Sequence, residues 1–86
     1  LLSEICSNLS KIDGIINAAS DGWPSSRMSK PDLAVIRVAV GEILFADDVP
    51  AAVAINEAVN LAKDYGTEQS PKFVNGVLAK VSKQLL

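Results

Sequence analysis

Lys72 and Phe73 stand side by side in the opening turn of a predicted helix, directly after Ser70-Pro71. A cation next to a π-face, at a helix end whose free N–H groups attract phosphate, is chemistry suited to nucleic acid. The same pair also fits a core phenylalanine beside a solvated lysine, and the residues alone leave both readings open. Arg37 is a second candidate, one residue after Ile36 and three before Val40, at the border of an apolar face. A guanidinium flanked by aliphatics is costly unless paired, so Glu42 on its own helix or Glu57 on the next is expected to meet it. The functional alternative is that Arg37 reads a phosphate. Asp47-Asp48 invites a metal, but two adjacent carboxylates fall short of the ligand count a divalent ion takes. They are expected to cap a helix start instead.

Other chemistries are excluded by what the chain lacks. There is no histidine and a single cysteine, Cys6. That removes histidine-based triads and nearly all zinc sites, and no disulfide can form within the chain. Cys6 lies in an apolar pattern and reads as a small buried residue rather than a reactive thiol. No glycine-rich phosphate loop and no nucleophile with a base are present, so the sequence implies neither an enzyme nor a cofactor. Without disulfides, without an apolar run near the roughly 18 residues of a membrane span and without a signal-like start, a cytoplasmic location and no membrane partner are expected. The formal charge of −2 makes no overall case for nucleic acid, but its distribution is uneven. Residues 31–68 carry seven acids and two bases, a net of −5, whereas residues 69–86 carry Lys72, Lys80 and Lys83 and no acid, a net of +3.

These residues must be positioned by helices. With 86 residues, 49% of them apolar, the chain suits one domain with one core. Leu2, Ile5, Leu9, Ile12, Ile16 and Ala19 step by three and four, which predicts a helix over about 2–19 that runs through Asp13-Gly14. Ser20 to Ser26 is turn chemistry, with Trp23 expected as a lid on the core. Ser29, Pro31 and Asp32 form a cap, a first-turn proline and a dipole-compatible acid, opening a helix over about 31–46 on Leu33, Ile36, Val40, Ile43 and Leu44. A third helix, about 51–65, carries Ala51, Ile55, Ala58, Ala62 and Tyr65 and ends at Gly66, read as a C-cap able to take positive φ. Ser70 and Pro71 repeat the cap-then-proline start of a last helix over about 71–84, striped by Val74, Val77, Leu78, Val81 and Leu85. Asn75 reads as a buried amide and Gly76 as a close helix crossing. The expected fold is an all-α bundle of four helices. The only methionine is Met28 and the chain opens Leu1-Leu2, so it reads as a piece of a longer protein.

A resemblance follows from several of these segments in order. Ala34-Val35-Ile36-Arg37-Val38-Ala39, Glu42-Ile43-Leu44 and Asp48-Val49-Pro50 lead into Val53-Ala54-Ile55-Asn56-Glu57-Ala58-Val59 and Leu61-Ala62-Lys63. Gly66-Thr67-Glu68 and Ser70-Pro71-Lys72-Phe73-Val74-Asn75-Gly76-Val77-Leu78 follow. Together they resemble the C-terminal part of the NusB transcription antitermination family across essentially all 86 residues. The departures are Gly41, where relatives often carry an aromatic, and Pro71, where some carry histidine.

The resemblance implies a single NusB-like helical domain, over 1–86, lacking the family's N-terminal helical half and its arginine-rich RNA-contacting segment. It implies a non-catalytic factor that binds boxA-type RNA together with the ribosomal protein NusE and so acts indirectly on RNA polymerase during ribosomal RNA transcription. Carried across by position, Gln69, Lys72 and Phe73 are the RNA contacts, and Asp32 is the acid that meets the basic ribosomal partner. An alternative within the same resemblance is the RNA-binding NusB-like domain of an rRNA cytosine-C5 methyltransferase. A plain helical scaffold is a third reading, and a chain without its covering half is also expected to form a homodimer through the exposed face.

Overall fold

The computed structural model describes residues 2–20, 28–46 and 48–85. They form five helices: α1 (Leu2–Ser7), α2 (Leu9–Ala19), α3 (Lys30–Phe45), α4 (Ala51–Tyr65) and α5 (Ser70–Leu85). No strand occurs among the described residues. The Cα radius of gyration is 11.5 Å, against about 12 Å expected for a folded chain this long, so the helices close around a shared core.

The expected first helix is two. The break falls at Asn8 rather than at Asp13-Gly14, where the helix continues. Asn8 leaves helical geometry with ψ at 23°, and its side-chain amide donates to the Glu4 carbonyl at 2.8 Å. An asparagine side chain that takes a backbone carbonyl offers the chain an alternative to the helical ladder. One consequence is that Ile5 is buried while Cys6 and Leu9 are exposed, so the reading of Cys6 as a buried residue is corrected.

The other helix starts show what local chemistry each loop uses. Ser29 caps α3 as expected: its hydroxyl accepts from the Asp32 N–H at 3.3 Å, with proline in the first turn. At α4 the cap position is Pro50 with no side-chain hydrogen bond, and Asp48 is exposed, so the capping role expected of the acid pair is not performed by Asp48. Asp47 and Trp23 lie outside the described residues. Before α5 the expected Ser70 cap is reversed into a reciprocal pair, a serine version of the capping box. The Ser70 hydroxyl accepts from the Thr67 N–H at 2.9 Å, and the Thr67 hydroxyl accepts from the Gln69 N–H at 3.3 Å.

The core is built by Ile12 and Ile16 of α2, Ile36 and Val40 of α3, and Val74, Leu78 and Val81 of α5, all fully buried. On α4 the buried stripe is Ala54, Ala58 and Ala62, whose small side chains bring that helix close to α3 and α5. Tyr65, expected to close that stripe, is 70% exposed. Gly66 is a C-cap, but its φ of −104° is not left-handed. Space explains the glycine: a Cβ there would run into the Ser70 side chain. Asn75 and Gly76 are both exposed, and nothing lies within 4 Å of where a Gly76 Cβ would be, so neither is the packing device expected.

Candidate functional site

The N-terminal ends of α3 and α5 converge on one groove of about 420 Å³. Met28, Ser29 and Asp32 form one wall; Thr67, Gln69, Ser70 and Phe73 form the other. Two sets of residues singled out for different tasks thus meet in one place: Asp32 for a protein partner, Gln69 and Phe73 for RNA. Lys72 points to the other flank of Phe73, where it lines an adjoining pocket with Ala19, Gly76 and Lys80.

Each wall is set by its helix start. The Ser29 cap and the first-turn proline orient α3 so that Asp32 faces inward. Asp32 is only 9% exposed, and among the described residues its Oδ1 has no hydrogen-bond partner. A buried, unsatisfied carboxylate oxygen costs a few kcal/mol, and a donor or cation arriving in the groove would relieve it. Opposite, the Thr67–Ser70 pair fixes the start of α5, with Ser70 1% exposed beneath Gln69. Phe73 is half-buried, packed on the core by one side and open to the groove by the other. The core reading of Phe73 therefore holds for one side of the ring, while its other side stays open to the groove. Gln69 and Lys72 are exposed and available.

Arg37 is not in this groove. It forms a two-point contact with Asp13 of α2, Nε donating to Oδ1 at 2.9 Å and Nη2 to Oδ2 at 2.8 Å. The expected pairing with Glu42 or Glu57 is corrected on this point. Asp13 matches the planar fork of the guanidinium, and that bonding holds the Arg37 proton still more firmly than usual despite partial burial. Glu42 and Glu57 instead face each other: burial first, then the charge of Glu57, raises the Glu42 pKa. A signal for Asp13 was present in the sequence. It follows Ile12 and precedes Ile16 by three, the same border offset that Arg37 has from Ile36 and Val40.

Among the described residues no group of three or more potential metal ligands occurs, and no helix is long and apolar enough to cross a membrane.

Comparison with known proteins agrees with this architecture. The chain is 55% identical over 78 residues to the transcription antitermination protein NusB of Agathobacter rectalis, covering 91% of this chain and 60% of that one. It is 47% identical over 85 residues to that of Natranaerobius thermophilus, covering 99% of this chain and 61% of that one. A solved structure of T. maritima NusB superposes with a TM-score of 0.89 at 46% identity, over 93% of this chain and 56% of that one. The chain thus spans about three-fifths of the length of these relatives. The NusB family model matches residues 1–83, and with a fold and helix order that agree, the chain belongs to the NusB family.

Proposed function

We propose that this chain is the C-terminal part of a non-catalytic transcription antitermination factor. It would bind boxA-type RNA and the ribosomal protein NusE side by side to keep ribosomal RNA transcription processive. The observation that carries this reading is the shared groove, with a buried, unpartnered Asp32 oxygen on one wall and Phe73 and Gln69 on the other. A carboxylate repels phosphate, so the groove itself suits a basic side chain of the partner on the Asp32 wall and a base face on the Phe73 wall. Lys72, on the outer flank, is placed for the RNA backbone. The names of the relatives do not favour the methyltransferase alternative.

The partner half of the proposal is tested by measuring NusE binding to Asp32→Lys. The expected result is a loss of at least about tenfold, as like charges meet where opposite ones should. Partner affinity equal to that of the unmodified chain removes Asp32 from the interface.

A further inference from the structure

A serine at a helix start ordinarily lends its hydroxyl oxygen to an N–H group two or three residues further on, within its own first turn. Ser70 does the opposite. Its hydroxyl oxygen accepts from the Thr67 N–H, three residues back, at 2.9 Å, and lies 3.3 Å from the Thr67 hydroxyl. The Thr67 hydroxyl in turn accepts from the Gln69 N–H at 3.3 Å, and the Gln69 carbonyl accepts from the Phe73 N–H at 3.1 Å. A continuous chain of hydrogen bonds thus runs from Ser70 through Thr67 to the backbone of both groove residues, Gln69 and Phe73. The pair is held from behind as well. Ser70 is 1% exposed, and a Cβ on Gly66 would run into its side chain and come within 2.9 Å of the Ala62 carbonyl oxygen. The end of α4 therefore packs directly on the Ser70 side chain, while Asp32 presents an unpartnered oxygen to the same groove from α3.

We propose that Ser70 and Thr67 are positioning residues: their hydroxyl pair fixes the turn before α5 and so holds Gln69 and Phe73 in the orientation that meets Asp32 across the groove. Ser70 is too buried to bind a ligand itself, so it acts on binding through Gln69 and Phe73. The proposal rests on the RNA reading above and adds what holds that wall in shape before anything binds. A wall already ordered in the free chain spares the complex the cost of ordering it.

The test measures three quantities for each variant: affinity for labelled single-stranded boxA RNA at one salt concentration, melting temperature, and amide hydrogen exchange at Thr67 and Gln69. Thr67→Val removes the hydroxyl and keeps the shape at an exposed position. It should weaken binding by about 2- to 12-fold, the cost of ordering one side chain, with faster exchange at Gln69. Thr67→Ser keeps the hydroxyl and should restore both. Ser70→Ala, assayed at a temperature where it is folded, should weaken binding to the same extent, with faster exchange at Thr67. Phe73→Leu is the control for the site itself. If Phe73→Leu weakens binding while folded Ser70→Ala and Thr67→Val bind as the parent does, the pair only stabilises the helix start; the positioning role is then wrong and the RNA site stands. Equal losses in Thr67→Val and Thr67→Ser also overturn it, because the hydroxyl is then not the cause. If Phe73→Leu binds as the parent does, the RNA reading itself fails.

Discussion

The residue that best shows how much a neighbour decides is Glu42. Burial, and secondarily the facing charge of Glu57, make its carboxyl hold a proton more tightly in the folded chain than in the unfolded one. The stability linked to this group is therefore full in acid, below the ordinary carboxylate value, and is lost as the pH rises through the raised one. Glu42→Gln should match the parent chain in acid and exceed it at neutral pH, as measured by denaturant midpoints at the two pH values. A variant less stable than the parent at neutral pH contradicts this account. Glu57→Gln should recover only the smaller part of the difference, because burial is the larger cause. The sequence offered Glu42 or Glu57 to Arg37, and neither is its partner. Spacing along one helix says which residues share a border; it does not say which helix lies across that border. Asp13 wins because α2 packs beside α3 with matching edges, a fact of tertiary arrangement.

Among the elements, α3, α4 and α5 were legible to within one or two residues, because a long apolar period and punctuation by Ser, Pro and Gly act together there. Even the reversed cap at Thr67–Ser70 leaves α5 starting where Ser70-Pro71 placed it. The break at Asn8 was not legible, since the apolar steps run straight through it and a single asparagine side chain ends the first helix. That break matters for α3. It lets α1 turn so that Ile5 fills the space over Gly41. A Cβ on Gly41 would collide with the Ile5 side chain at Cγ1 and Cδ1. Gly41→Ala should thus cost about 1–3 kcal/mol of stability by overpacking, read as a fall in the unfolding midpoint. An unchanged midpoint would mean that α1 moves aside freely and contributes little to the fold.

For the molecule as a whole, the composition reported a mildly acidic chain, whereas the fold separates its charges into usable surfaces. Acidic Asp32 is turned into a groove between two helix starts, and the lysines of residues 69–86 line two further pockets on the flank of α5. The sequence supplied Asp32, Gln69 and Phe73 as candidates but not their meeting, because Asp32 and Phe73 are 41 positions apart and only the packing of α3 against α5 joins them. Phe73 lines both the groove and the neighbouring pocket, and its proposed contact with RNA sets the decisive experiment. Phe73→Leu keeps apolar bulk against the core while removing the flat ring, so binding can be separated from folding. Titrating labelled boxA RNA at one stated salt concentration, with the melting temperature measured alongside, is the most direct test. Loss of a stacked base is worth about 1–3 kcal/mol, so affinity should fall by about 5- to 150-fold while the chain remains folded. Unchanged affinity in a folded Phe73→Leu chain would contradict the account.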